Sequence, residues 1–179
     1  MSLVYQLLRQ AKIIQAKGYP DIQTRQLLFY LHSKHPQIPI YGLVDFDPDG
    51  LGIMSTYKYG SAALAHCNER LAVPEVRWLG VKSDDIMCHG NTLSRDNDLN
   101  EVASGQKDKL GLLRITPRDR RTARGMLGRE MWGEEGRETV WRRELQVMLM
   151  LNVKAEIQIL SQTSGGLEGW LNERLGELA

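Results

Sequence analysis

The sequence is poor in cysteine, carries no surplus of charge and contains no long apolar run. Cys67 and Cys88 are the two cysteines in 179 residues, too few for a disulfide scaffold and in keeping with a reducing compartment. Lys and Arg total 23 against 22 Asp and Glu, leaving a formal charge of +1. Any affinity for a nucleic acid must therefore come from local patches and not from the overall field. No uninterrupted apolar segment is long enough to span a bilayer. His32, His35, His66 and His89 show no metal-ligand spacing and are expected at the surface. No internal repeat is visible. The 42% hydrophobic content that remains is enough to bury a substantial core.

The stretch that carries chemistry runs from Ile38 to Ser61, IPIYGLVDFDPDGLGIMSTYKYGS. The apolar, β-branched run Ile38–Val44 predicts a buried strand, which ends abruptly in Asp45-Phe46-Asp47-Pro48-Asp49-Gly50. Residues two apart on a strand share a face, so Asp45 and Asp47 would present two carboxylates side by side. Open α/β sheets gather ligands at that carboxyl edge. Two like charges so close repel unless a cation or donors lie between them, and hard oxygen ligands suit Mg²⁺.

Two other readings stay open on these residues alone. One is an acidic turn whose carboxylates face water. The other is a calcium loop, because Asp45, Asp47, Asp49 and Gly50 match the first, third, fifth and sixth positions of an EF-hand. That loop needs a bidentate Glu at its twelfth position, where this chain has Thr56, and a helix in front, where this chain predicts a strand.

Two neighbouring stretches favour the Mg²⁺ reading. Upstream, Lys12–Ala16 predicts a strand running into Lys17-Gly18-Tyr19-Pro20-Asp21, then a helix carrying Thr24 and Arg25. Arg25 falls in that helix's first turns, where a cation opposes the dipole, and this points to an anionic partner. Downstream lies Tyr57-Lys58-Tyr59-Gly60-Ser61, where N–H groups at a helix start could meet phosphate oxygens.

At these residues the sequence resembles the meiotic double-strand-break transesterases, eukaryotic relatives of the A subunit of DNA topoisomerase VI. The phrases that carry the resemblance are KGYPD-x-x-TR, the D-x-DP-x-G after a strand, YKYGS, VPEVRWLG from Val73 to Gly80, and WRREL…KAEIQIL from Trp141 to Leu160. It implies an α/β Toprim-like fold: a small parallel sheet flanked by helices, with a helical C-terminal extension. It further implies Mg²⁺ held by Asp45 and Asp47, and double-stranded DNA contacted by Lys17, Arg25, Lys58 and Ser61. A nuclear protein is implied, acting as a homodimer or with a topoisomerase VI B-like partner subunit. In that family the first Toprim strand ends in a glutamate that joins the metal ligands, and a winged-helix domain carries the tyrosine nucleophile. Neither precedes Leu3-Val4-Tyr5-Gln6-Leu7-Leu8 here. The expectation is an N-terminally truncated Toprim part that cannot cleave DNA alone, or a non-catalytic DNA-binding or assembly remnant. A further alternative, a haloacid-dehalogenase-like phosphatase, also has D-x-D at a strand end. It expects Thr or Val where Asp49 stands, and later acidic residues such as Asp84 and Asp85. Carboxylates in a helix's first turn, facing the dipole, account for those two as well.

Alternating elements predict a parallel sheet with crossover helices. Asp21 is an N-cap for a helix through about Ser33, with Leu27, Leu28 and Leu31 inward. Leu51–Lys58 predicts a helix, Gly60 a break, and Ser61 the cap of another helix through Arg70. Val76–Val81 is the next strand, and Lys82–Ile86 a capped helical turn. This Toprim-like core is expected over 1–88. A polar, partly flexible region follows over 89–140. It holds a loop at Arg95–Lys109, a basic helix start with Arg118, Arg120, Arg121 and Arg124, and a flexible insertion at Met131–Glu138. Over 141–179 a helical part is expected, with Trp141, Leu145, Met148, Leu149 and Leu151 continued by Ala155, Ile157 and Leu160. After Ser164-Gly165-Gly166 comes an amphipathic helix, Leu167–Leu178.

Overall fold

The computed structural model describes residues 14, 18–90, 111–132, 136–163 and 165–177. Most of the Lys12–Ala16 strand, Lys17 itself and the Arg95–Lys109 loop lie outside them. The chain falls into two compact units: residues 1–42, 53–79 and 160–179 form one, and residues 43–52 and 80–159 the other.

In the first unit, the Asp21 carboxylate accepts from the Thr24 N–H at 2.7 Å and opens helix α1, Ile22–Lys34. The expected inward stripe is only partly present: Leu28 and Leu31 are half-buried, but Leu27 is 48% exposed. The residue this helix buries is Arg25, 2% exposed. Strands β1, Tyr41–Leu43, and β2, Arg77–Gly80, begin in the first unit, end in the second and form a two-stranded sheet. The Ile40 carbonyl meets the Arg77 N–H at 2.9 Å, and Val44 exchanges bonds with Gly80 and Val81 at 2.9 and 2.7 Å. Residue numbers rise in step along both strands, so the pairing is parallel, and a right-handed helical crossover is what such a pair requires. Helix α2, Pro48–Tyr59, opens that crossover, with proline at a first-turn position where its missing N–H costs nothing.

The segment after Gly60 differs from expectation. Ala62–Arg70 forms 3₁₀ turns broken at Leu64 (φ −122°, ψ 34°), and the Ser61 side chain makes no capping bond.

In the second unit, helix α3, Ser83–Gly90, holds Asp84 and Asp85 in its first turn. Asp85 accepts from the Lys82 N–H at 2.8 Å. The Ser83 N–H and hydroxyl both donate to the buried Glu144 carboxylate, at 2.8 and 3.1 Å. Strand β3, Leu112–Arg114, has no counterpart among the elements expected from sequence. The basic helix α4, Pro117–Leu127, is closed by a capping box between Thr116 and Asp119.

Helix α5, Thr139–Leu151, buries Trp141, Leu145 and Met148, whereas Leu151 is exposed. The apolar face does not run on through Ala155. Asn152 adopts a left-handed conformation (φ 59°), and the chain reverses into strand β4, Val153–Ala155. This strand pairs antiparallel with β3, Leu112 opposite Ala155 and Arg114 opposite Val153. Trp132, inside the expected flexible insertion, is fully buried with its ring 5.6 Å from that of Trp141. Burying two indoles outweighs the local glycine and charge content. Helix α6, Gly166–Gly176, returns to the first unit and buries Trp170.

Candidate metal centre

The D-x-D segment is fastened from both sides. Phe46, between the two aspartates, is fully buried. Its N–H donates to the Ala155 carbonyl at 2.8 Å, and its carbonyl accepts from the Ala155 N–H at 3.1 Å. The end of β4 therefore grips the loop by its middle residue. Two residues on, the Ile157 N–H donates to Asp45 Oδ1 at 2.8 Å. Asp47 faces the start of α2, where its Oδ1 accepts from the Gly50 N–H at 2.6 Å. Glycine at 50 is a steric requirement, since a Cβ there would run into the Asp45 carbonyl.

Each aspartate thus commits one carboxylate oxygen to a backbone N–H and keeps the other without a donor among the described residues. Burial, chiefly, and then the charges of Asp45 and Asp49 push the Asp47 carboxyl above its ordinary value. The Gly50 N–H and the Lys154 ammonium offset part of this. Two spare hard oxygens in a loop whose negative charge is only partly offset fit Mg²⁺. Among the described residues no group of three or more His, Cys, Asp or Glu gathers for a metal, so most of the ion's coordination would be water.

Asp49 lies in the first turn of α2. It meets Arg118, at the start of α4, at 3.6 Å, with the arginine 80% exposed. Of the other arginines of that helix, Arg120 is engaged by the Asn152 side chain, and Arg121 and Arg124 are exposed. Lys154, on β4, pairs with the buried Asp119 at 3.0 Å. Burial opposes the Asp119 charge, but the Thr116 bonds and the lysine outweigh it and hold its pKa below the ordinary value.

The expected DNA-contacting residues that are described lie in the other unit. Arg25 is turned inward: its Nε donates to the Leu71 carbonyl at 3.4 Å and its Nη2 to Asn68 Oδ1 at 3.3 Å. The same Asn68 oxygen accepts the Ser61 N–H at 3.1 Å, and the Asn68 amide donates to the Ser61 carbonyl at 3.1 Å. Gly60 (φ +89°) has no room for a side chain against Asn68. The helix-dipole conflict at Arg25 is thus met by an internal amide and carbonyl. The Ser61 N–H is taken by Asn68, so Ser61 can offer an anion its hydroxyl. The Lys58 ammonium lies 5.6 Å from the Tyr59 ring centre.

Sequence reasoning missed the residues that do the fastening: Ala155, Ile157, Lys154 and Asp119 in one unit, Asn68 in the other. Val153 and the period-two run after Asn152 were the available signal for β4. For Asn68 there was none, because its partners lie seven and 43 residues away.

Comparison with known proteins places this geometry. Residues 4–168 match the Toprim domain family of the topoisomerase 6 A subunit and Spo11. Meiotic recombination protein SPO11-1 of Oryza sativa subsp. indica is 40% identical over 152 residues, covering 85% of this chain and 35% of the rice protein. SPO11-1 of Arabidopsis thaliana is 36% identical over 149 residues, 83% of this chain and 36% of the plant protein. Meiotic recombination protein SPO11 of Homo sapiens is 34% identical over 149 residues, 83% of this chain and 33% of the human protein. The chain spans about a third of the length of these relatives. With a parallel α/β sheet, a clamped D-x-D after its first described strand and a match over most of its length, the chain belongs to the Topo6A/Spo11 Toprim family.

Proposed function

We propose that this chain is the Mg²⁺-binding Toprim part of a protein that makes meiotic DNA double-strand breaks by tyrosine transesterification, acting in the nucleus on double-stranded DNA. The observation that carries the metal assignment is the clamp: backbone donors orient Asp45 and Asp47 and leave one oxygen of each for a cation. Toprim domains generally bind Mg²⁺, and a bound ion there neutralises phosphate charge and positions the scissile backbone. The chain's own contribution is to present two ionised carboxylates at a fixed edge, to draw the backbone by the charges of Lys58 and the exposed Arg118, and to offer it the Ser61 hydroxyl. Arg25 takes a different part: it holds Asn68 and, through it, the Gly60–Ser61 turn. Lys17 keeps its assignment as a phosphate contact.

The nucleophile is assigned to a domain outside these residues. All six tyrosines, Tyr5, Tyr19, Tyr30, Tyr41, Tyr57 and Tyr59, fall in the matched Toprim region. Tyr57 is pushed above its ordinary pKa, chiefly by burial, which is the wrong direction for a nucleophile. Pairing with a second copy or with a topoisomerase VI B-like subunit belongs to the same proposal. The calcium-loop reading lacks its bidentate glutamate, with Thr56 at that position, and the phosphatase reading has no support from the family match.

The test is calorimetric titration of Mg²⁺ or Mn²⁺ into the chain and its variants. Asp45→Asn or Asp47→Asn should weaken binding roughly ten- to a hundredfold, the effect of removing one charged contact of about 1.5–3 kcal/mol. Unchanged affinity in both variants removes the site. Covalent adducts to supercoiled plasmid traced to any of the six tyrosines would overturn the assignment of the nucleophile.

A further inference from the structure

The loop that carries the carboxylate pair also has cations of its own. In the second unit, Asp49 is paired with Arg118 and Asp119 with Lys154. The two pairs are unlike. Arg118 is 80% exposed and its contact is long, so it is worth little and is readily lost to solvent. Lys154 and Asp119 are 20% and 7% exposed, with a 3.0 Å separation. An ammonium held that deep is costly to desolvate and stays because its partner is fixed. Asp119 is fixed twice over, by the Thr116 N–H at 2.8 Å and by its own N–H on the Thr116 hydroxyl at 3.2 Å. Lys154 immediately precedes Ala155, the residue bonded on both sides to Phe46 between the two metal-binding aspartates. The strand that clamps the acidic loop thus delivers a half-buried positive charge beside it.

We propose that Lys154 is a resident counter-charge for the Asp45–Asp47 pair, held back by Asp119, and that the pair takes one weakly held divalent cation. This rests on the metal reading of that pair. In the antiparallel bridge between Phe46 and Ala155, Lys154 stands across from Asp47. It eases the repulsion between the two carboxylates when no metal is bound, and it disfavours a second cation once one is in place. Asp119 sets the balance: while it holds the ammonium, the free carboxylate oxygens face the ion, and without it the ammonium can swing to Asp47 and compete.

The two partners therefore act in opposite directions, which a general loss of stability cannot mimic. Mn²⁺ titrated calorimetrically into the full chain should show one site per molecule. Lys154→Met should tighten that site by about three- to tenfold, the scale of one like charge removed at close range in a partly solvated setting. Asp119→Asn keeps an oxygen acceptor for Thr116 but not the charge, and should weaken the site by a similar factor. Lys154→Arg should titrate like the parent. If Asp45→Asn abolishes binding while Lys154→Met and Asp119→Asn leave it unmoved, or shift it in the same direction, the counter-charge role is wrong and the metal site stands. If Asp45→Asn and Asp47→Asn both leave binding intact, the metal reading fails and the proposal with it. Should Lys154→Met fail to fold, Lys154→Gln replaces it, with the same tightening expected and an unmoved or weakened site overturning the role.

Discussion

The acidic loop at Asp45–Gly50 and the turn at Gly60–Ser61 are built from the same kinds of residue and reach opposite ends. In the loop, backbone donors occupy one oxygen of each carboxylate and leave the other without a donor among the described residues. In the turn, the Asn68 amide closes on both the N–H and the carbonyl of Ser61, and Arg25 closes on Asn68. One region carries an excess of negative charge and unfilled acceptors, and the other is internally satisfied. A site that must bind keeps unfilled acceptors, and a scaffold that must hold a turn does not.

The sharpest way to break this contrast is to unsatisfy the satisfied region. Asn68→Ala strands a buried guanidinium and both polar groups of Ser61, and should cost about 2–4 kcal/mol. Thermal denaturation should show the midpoint falling by roughly 5–10 °C for a chain of this size. Asn68→Asp keeps the shared acceptor and adds an opposite charge to Arg25, so it should lose less. Asp45→Asn keeps an acceptor for the Ile157 N–H and should barely move the midpoint. Equal losses at Asn68→Ala and Asp45→Asn would erase the distinction between the regions.

A smaller effect, of opposite sign, is expected inside the loop. The Asp47 carboxyl is raised in the folded chain, so the folded state keeps its proton to higher pH than the unfolded state does. Stability therefore declines as pH rises from the unfolded carboxylate value through the folded one. In chelator, Asp47→Asn should melt above the parent at neutral pH and level with it below that window. Asp119 is lowered, so its contribution is present above the unfolded value and is lost as pH falls through the folded one. Asp119→Asn should then melt below the parent at neutral pH and approach it in acid. Melting curves across pH that show both variants moving the same way at neutral pH would contradict the opposed environments of the two carboxylates.

The smallest effects belong to Lys58 in one unit and Arg118 in the other. If each meets a phosphate, alanine at either should flatten the salt dependence of DNA binding by about one unit, without changing sequence preference. Fluorescence anisotropy across a salt series reads both. An unchanged slope identifies the residue as an ordinary solvated cation.

Much of this was legible before any coordinates. Asp21 capping α1, Pro48 opening α2, the strand before Asp45 and the carboxylates in the first turn of α3 all follow from local chemistry. The aspartate caps and the proline act within three or four residues of themselves. Errors came where distant partners decide. The periodicity from Trp141 predicts helix through Leu160, but the left-handed Asn152 and pairing with β3 make Val153–Ala155 a strand. Trp132 sat in glycine- and charge-rich surroundings that read as flexible, and the indole of Trp141 buried it. Arg25 looked like a cation awaiting an anion, because neither Leu71 nor Asn68 is within its local reach.

By itself, then, the sequence determined the family and the parallel α/β character, because motif order, β-branched runs and capping residues act over short separations. Only the tertiary structure decided how those carboxylates are held and which cations are already engaged. Ile157 lies 112 residues from Asp45, and Lys154 35 from Asp119. Bonds across such separations form after the chain has folded back on itself, and no local pattern of residue types records them.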